Sequence, residues 1–109
     1  MHLVVAVLED VTVIPKIMSD LVDNDINGAT VLDTYGMGRI LSRSHKEIPQ
    51  KEMISYILSE NRPTNRTIFV IVDETKMQKT VDIFQNRVGN FKSPRTGILF
   101  TIEIDKFFG

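Results

Sequence analysis

Two uninterrupted apolar runs, residues 3–8 and 68–72, constrain the fold of this chain more than any other feature of its sequence. Both runs are rich in valine and isoleucine, and neither alternates with polar residues, which is typical of strands buried on both faces. Each run is followed by a segment with helical spacing and then by a further strand. The sequence therefore predicts two strand–helix–strand units joined by a long connection.

In the first unit, a helix is expected after the central strand of residues 3–8. Asp10 or Thr12 can serve as its N-cap, and Pro15 fits its first turn. Its buried stripe is predicted to consist of Ile14, Ile17, Met18, Leu21 and Val22. Residues 24–28 are rich in turn formers, so the second strand is expected from about Ala29.

In the second unit, a strand is expected over residues 67–73, and Asp73 can cap the helix that follows. The buried stripe of this helix is predicted to be Met77, Val81, Phe84 and Val88. Gly89 is expected to end the helix. The last strand is expected to run from Gly97 or Ile98 to about Ile104.

This order predicts one α+β domain over residues 1–109, a ferredoxin-like βαββαβ sandwich with a four-stranded antiparallel sheet and two helices on one face. Two helices cover only one face of such a sheet, although both central strands are apolar on both sides. A domain this small is not expected to leave that second face in water. We therefore predict a closed homo-oligomer that associates through the open face.

Composition and motifs exclude several classes of function. The net charge of −1 gives no electrostatic footprint for a nucleic acid or an anionic membrane. The sequence has no cysteine, which excludes disulfides, thiolate metal sites and a cysteine nucleophile, and which fits a cytoplasmic location. The apolar N-terminal run is too short to span a bilayer and lacks the flanks of a signal peptide.

No catalytic or metal-binding constellation is present in the sequence. Its two histidines, His2 and His45, are far apart and lie at no metal-ligand spacing, and no hydrolase, P-loop or zinc-protease motif occurs. The acidic pairs Glu9–Asp10 and Asp73–Glu74 stand where helix caps are expected. We therefore expect a protein that is not an enzyme and holds no metal.

Two loops are candidates for anion binding. Gly36, Gly38 and Arg39 end the second strand and open a long loop, about residues 36–65, where glycine lets backbone amides approach an anion and arginine adds a fork of donors. Lys92, Arg95, Thr96 and Gly97 precede the last strand, and a plain solvated turn is the alternative interpretation there. In a ferredoxin-like fold, the two loops could meet across a subunit boundary.

The long loop contains a short helical stripe of its own. Its members are Met53, Ile54, Ile57 and Leu58, which follow Pro49. The stripe either packs on the surface of the domain or docks a partner protein.

Residues 28–39 resemble the entry to the T-loop of the PII nitrogen-regulator family, and residues 97–104 resemble the last core strand after its B-loop. Residues 65–72 stand where the third strand of that family is expected, and the similarity covers nearly the whole chain. The resemblance implies a ferredoxin-like homotrimer that binds an adenine nucleotide or a related small anionic effector in clefts between subunits. It also implies that the T-loop signals to a protein target, such as a transporter or an enzyme.

The resemblance assigns roles to particular residues. Thr30 matches a strand threonine near the nucleotide; Gly36, Gly38 and Arg39 match the base of the T-loop; and Thr96 and Gly97 match the end of the B-loop. The lysine that binds phosphate in the family's B-loop is replaced by Ile98, although Arg95 or Lys92 can supply the charge. The glutamine that follows the T-loop arginine is replaced by Ile40, so 2-oxoglutarate sensing is not expected, and Tyr56 does not match the modified tyrosine segment.

Two hypotheses from different classes follow. In the first, the protein is a trimeric regulator whose cleft is lined by Thr30, Gly36, Gly38, Arg39, Arg95, Thr96 and Gly97. In the second, it is a protein–protein docking module without a small ligand, whose contact surface is the stripe at Met53, Ile54, Ile57 and Leu58. A small hydrolase or a metal-tolerance protein is disfavoured because no nucleophile or ligand cluster is present. An RNA-binding domain is disfavoured because exposed strand aromatics and positive charge are expected to be lacking.

Overall fold

The computed structural model describes residues 1–37, 65–89, 91–93 and 96–109. Its strands are β1 (His2–Leu8), β2 (Ala29–Thr34), β3 (Asn65–Val72) and β4 (Gly97–Glu103). Its helices are α1 (Ile14–Asp23), which follows a short 3-10 turn at Val11–Val13, and α2 (Glu74–Val88). This order confirms the two predicted strand–helix–strand units, although β3 begins at Asn65 and not at Thr67.

The four strands form one antiparallel sheet in the order β2-β3-β1-β4. The two uninterrupted apolar runs therefore occupy the two central positions, as predicted. With α1 and α2 packed against this sheet, the described residues have the ferredoxin-like α+β arrangement.

The 3-10 turn and α2 each start where an aspartate side chain accepts from free backbone N–H groups. The Asp10 carboxylate accepts from the Thr12 backbone N–H at 2.9 Å and caps the 3-10 turn, whereas α1 itself has Val13 at its N-cap and no side-chain capping bond, so neither predicted residue caps α1 directly. The Asp73 carboxylate accepts from the N–H groups of Thr75 and Lys76 at 2.9 and 3.2 Å. At the other end of α2, Gly89 has φ 87°, a conformation that favours glycine.

The core lies between the two helices and the face of the sheet that carries Val4, Ala6 and Leu8. Its most deeply buried residues also include Ile17, Leu21, Ile68, Val70, Thr80 and Phe84. The Thr80 hydroxyl is satisfied because it donates to the backbone carbonyl of Lys76 at 2.8 Å. The prediction for Val22 is wrong, since this residue is 60% exposed: the buried stripe of α1 is centred on Ile17 and Leu21, and Val22 is rotated away from it.

The other face of the sheet is apolar and open in the single chain. Val5 is only 5% exposed because its direct cross-strand partners are Phe69 on β3 and Phe100 on β4. The rest of this face is more exposed, with Phe100 at 42% and Ile102 at 48%. The expectation that exposed strand aromatics are lacking is therefore wrong, because Phe69 and Phe100 lie on a face that no helix covers. A patch of this kind is typical of an interaction surface.

Candidate functional site

Both predicted anion loops leave the sheet at the same end. Leu8 on β1 pairs with Arg66 on β3 and with Gly97 on β4, and Arg66 pairs with Asp33 on β2. The end of β2, the start of β3 and the start of β4 therefore form one row across the sheet. We call this row of strand ends the loop end of the sheet.

The two strands that border the long loop are joined firmly at the loop end. The Arg66 guanidinium lies 2.9 Å from the Asp33 carboxylate, and the hydroxyls of Thr34 and Thr67 are hydrogen-bonded at 2.9 Å. These side chains link β2 to β3 just before and just after the residues of the loop. The ends of the loop are thus attached to a fixed part of the sheet.

Gly36 and Gly97 lie at the same end of the sheet but at opposite edges. Their strands, β2 and β4, are separated by β3 and β1, so three interstrand spacings of roughly 14 Å in total divide them. Among the described residues, the end of β2 and the start of β4 are therefore not neighbours within one chain.

Thr30 lies apart from the other described candidates. It is exposed on the open face, where it pairs with Phe69, about 13 Å along β2 from Thr34. Within one chain, Thr30 lies on the same face of the sheet as the loop-end residues Val7 and Ile98, but it does not contact Thr96 or Gly97. Of the remaining predicted residues, Gly38, Arg39 and Arg95, together with Met53, Ile54, Ile57 and Leu58, lie outside the described residues.

Thr96 and Gly97 shape the turn that leads into β4. The Thr96 hydroxyl donates to the backbone carbonyl of Ser93 at 2.8 Å. Gly97 has φ 117°, and an added Cβ would lie 1.9 Å from the Val7 carbonyl oxygen. Glycine is therefore required at this position by the close approach of β4 to β1, whatever further role the residue has.

A cleft of 330 Å³ opens at the loop end, on the open face of the sheet. Its lining is formed by Val7, Glu9, Asn65, Ser93, Gly97 and Ile98. Val7 and Ile98 are direct cross-strand partners and form an apolar wall. Glu9 lies in this cleft, whereas its neighbour Asp10 forms the cap, so the expectation that both acids belong to the helix start is only half right. Sequence reasoning missed Val7, Asn65 and Ser93.

A smaller hollow of 150 Å³ lies at the same end but on the helix side of the sheet. Its lining includes Arg87, whose guanidinium donates to the Asp20 carboxylate at 2.6 and 3.0 Å. These hydrogen bonds lower the pKa of Asp20 and raise that of Arg87. Asp10, also in the lining, is held by Thr12, whose hydroxyl and backbone N–H lower the pKa of its carboxyl group. The charged groups of this hollow are thus engaged in structural contacts, which makes it a weaker candidate than the cleft.

The far end of the sheet carries the described histidine. His2 is paired with Glu74, the first residue of α2. Within the described ranges, no three His, Asp or Glu side chains come together as a metal-binding group. Neither α1 nor α2, the helices in the part of the chain that the structure describes, is long and apolar enough to cross a bilayer.

The fold and the cleft at the base of a long loop define a ferredoxin-like domain with a candidate ligand site on its open face. The family model of nitrogen regulatory protein P-II matches residues 1–108. The chain therefore belongs to the P-II family, as the resemblance predicted. No curated protein matches the chain. Family membership supports a role in nitrogen-regulatory signalling.

Proposed function

We propose that this protein is a non-enzymatic, cytoplasmic P-II regulator. It forms a homotrimer, binds a small anionic effector, an adenine nucleotide, between subunits, and controls a protein target such as a transporter or an enzyme. The single observation that carries the proposal is the position of the 330 Å³ cleft, whose lining includes Asn65, where the chain re-enters the sheet after the long loop, and Ile98 of the exposed apolar face.

The exposed apolar residues of the open face support an inter-subunit site. The large apolar side chains on that face are Leu32, Phe69, Ile71, Ile98, Phe100 and Ile102, each more than a third exposed. A second copy that covers them also brings a second loop end close to the cleft. Three copies in a closed ring is the arrangement that the family resemblance implies.

The effector is proposed to be held by residues of two neighbouring copies. One copy supplies the end of β2 with Thr30, Gly36, Gly38 and Arg39, and the other supplies Arg95, Thr96 and Gly97. The roughly 14 Å between these edges in a single chain is the reason for invoking two copies. Arg39 and Arg95 would neutralise the anionic part of the effector.

Calorimetric titration tests this function. AMP, ADP, ATP and cyclic dinucleotides are titrated with and without Mg²⁺, and proteolysis of residues 36–65 is followed in the same samples. We expect heat of binding with at least one nucleotide and slower cleavage of the loop. No heat and unchanged cleavage across the whole series would contradict the proposal.

Arg39→Ala sharpens the test. Loss of a charge-assisted hydrogen bond should weaken nucleotide binding by about tenfold or more while the oligomer stays intact, because the guanidinium donates to the anion. The control is Lys79→Ala on the exposed surface of α2, which removes the same charge away from the cleft. Equal nucleotide affinities for the two variants would show that Arg39 is not part of the nucleotide site.

A docking module without a small ligand is the second candidate function. It is favoured by Glu9, a carboxylate in the cleft, and by Ile98, which stands in the cleft where the family has a phosphate-binding lysine. In that case, polar replacement of Met53, Ile54, Ile57 and Leu58 abolishes capture of the partner protein and leaves folding unchanged. If the stripe belongs to a core, the same replacement destabilises the protein, by about 2 to 5 kcal/mol for each large side chain truncated.

A further inference from the structure

We propose that the segment after β4, residues 104–109, is an arm that one copy of the chain lays against the β2 edge of the next copy, with Phe107 and Phe108 as its anchors. The inference rests on the self-association in the proposed function. It adds a second contact between copies, made by a segment that leaves the sheet at the end opposite the loop end.

The arm is fixed at its base and exposed beyond it. The Ile104 backbone N–H donates to the Met1 carbonyl at 2.9 Å, which prolongs the pairing of β4 with β1 by one step. Residues 105–109 are exposed, with Phe107 at 46% and Phe108 at 89%. Neither phenylalanine belongs to the core that the described residues form. Two adjacent aromatic side chains held outside the domain are typical of an interaction surface.

The open face offers too little apolar surface for the proposed assembly. Its six large apolar side chains are between 38% and 56% exposed, which amounts to roughly 500 Å² if a large side chain carries about 200 Å². In a closed ring of three copies, this surface is divided between two neighbours. A stable interface takes about 800 Å² from each partner, somewhat more than half of it apolar. A further apolar contact is therefore needed.

The two anchors of the arm supply apolar area of the required size. Phe107 and Phe108 together expose roughly 270 Å² at about 200 Å² for a whole side chain. The two phenylalanines of the open face, Phe69 and Phe100, together expose only roughly 160 Å² on the same scale. Aromatic side chains are also enriched in the buried centres of interfaces. Burial of the arm on a neighbouring copy therefore removes the shortfall.

The β2 edge is the surface of the next copy that suits the arm. β2 and β4 are the two outer strands of the sheet, and the arm continues β4. In a ring, each copy presents one surface to the neighbour on one side and a different surface to the neighbour on the other. Val31 and Leu32, which lie on opposite faces of β2, are both more than a third exposed. A second copy of the chain is therefore the partner that fits the arm.

Photo-crosslinking tests this contact in the assembled protein. Phe108 is replaced by the photoreactive residue benzoylphenylalanine, which keeps an aromatic ring at the anchor. We expect covalent dimers and trimers in which the cross-linked peptide of the second copy contains residues 29–34. Benzoylphenylalanine in place of Lys79, on the exposed surface of α2, is the control and should leave monomers. Cross-links within one copy, at other residues of the second copy, or none at all would overturn the inference.

Phe108→Ser measures how much the anchor contributes to assembly. Loss of a buried aromatic anchor should raise the protein concentration at which half of the oligomer has dissociated by about tenfold or more. Val22→Ser, which truncates an exposed apolar residue of α1, is the control and should change that concentration by less than about twofold. Sedimentation velocity over a dilution series measures both variants.

The dilution series also separates failure of the arm from failure of the proposed function. If Phe108→Ser assembles as tightly as the wild type while Phe100→Lys dissociates, the open face holds the copies together without the arm, and the inference is wrong. If the wild-type protein is a monomer at every concentration, both the arm contact and the homotrimer are refuted.

Discussion

The two faces of the sheet are built from the same strands and similar residues, yet one is buried and the other is exposed in the single chain. Val4, Ala6 and Leu8 of β1 are buried beneath α1 and α2, whereas Phe100 and Ile102 on the opposite face of the sheet remain 42% and 48% exposed. Composition does not distinguish these faces. The chain thus supplies a cover for one apolar face and leaves the other exposed, which is why we propose that a second copy covers it.

The open face also differs from the covered face in its connection to the candidate site. Val7 and Ile98 belong both to the open face and to the wall of the cleft. The proposed assembly through the open face and the proposed binding in the cleft would therefore share residues. This overlap provides a physical route by which an effector can influence, or depend on, the contact between copies.

The largest expected effect is on the covered face. Phe84 is completely buried between α2 and the sheet, so Phe84→Ala should lower the free energy of unfolding by about 3 to 5 kcal/mol. Urea denaturation followed by circular dichroism measures this change. A loss of less than about 1 kcal/mol would mean that the helix side is not the main core.

A charged substitution on the open face should change the oligomeric state of the protein. Phe100→Lys places a charge on the open face at the edge strand β4, and we expect the oligomer to dissociate because a buried, unpaired charge is costly. The matched control is Val22→Lys, which adds the same charge at an exposed apolar residue of α1. Light scattering after size exclusion should give a monomer mass for Phe100→Lys and an unchanged mass for Val22→Lys. Identical masses for both variants would contradict assembly through the open face.

Acid should destabilise the helix-covered side of the domain by protonating the Asp73 cap of α2. We expect this effect to be smaller than those of the two substitutions above. Hydrogen bonds from Thr75, first from its hydroxyl and then from its backbone N–H, lower the pKa of Asp73 below 3.8. A lowered carboxyl pKa stabilises the folded state above the unfolded value, and this contribution is lost as the pH falls through the folded pKa. Melting temperatures between about pH 5 and pH 2 should therefore fall less steeply for Asp73→Asn than for the wild type. If the melting temperatures of the two proteins fell equally steeply with pH, the Asp73 carboxylate would not contribute to acid denaturation.

The smallest expected effect concerns the exposed ion pair between the two helices. Arg87 on α2 binds Asp20 on α1 through two hydrogen bonds, but both groups are accessible to solvent, so the pair contributes little to stability. Arg87→Gln should lower the melting temperature slightly at low salt and not at high salt, because salt screens exposed charges. A large drop in melting temperature that persists at high salt would show that the pair contributes more to stability than its exposure to solvent indicates.

Much of the fold could be predicted from local features of the sequence. The uninterrupted runs placed β1 and β3 at the centre of the sheet, and Asp73 marked the start of α2, whereas Asp10 caps only the 3-10 turn before α1. Burial at single positions was harder to predict: Val22 has helical spacing but is rotated out of the core, and Ile83 and Thr80 were missed although both are buried. Helical spacing in the sequence predicts the buried face of a helix only approximately, so a residue at the border of the apolar stripe can turn out to be exposed.

The candidate site could be predicted only in part. Gly97 was identified from its place before the last strand, but the cleft arises from the register that sets Val7 beside Ile98, and its polar end lies at Asn65. This register joins segments far apart in the chain, so no local motif reveals it. The exposure of Phe69 and Phe100 contradicts the expectation that exposed strand aromatics are lacking, although it agrees with the predicted open apolar face.

Native mass spectrometry of the protein purified gently from its source cells tests the central claim most directly. It reports the number of copies and any retained small molecule in one spectrum. We predict three copies of the chain with additional mass in the range of an adenine nucleotide. A monomer without added mass would contradict both the assembly through the open face and the site between subunits.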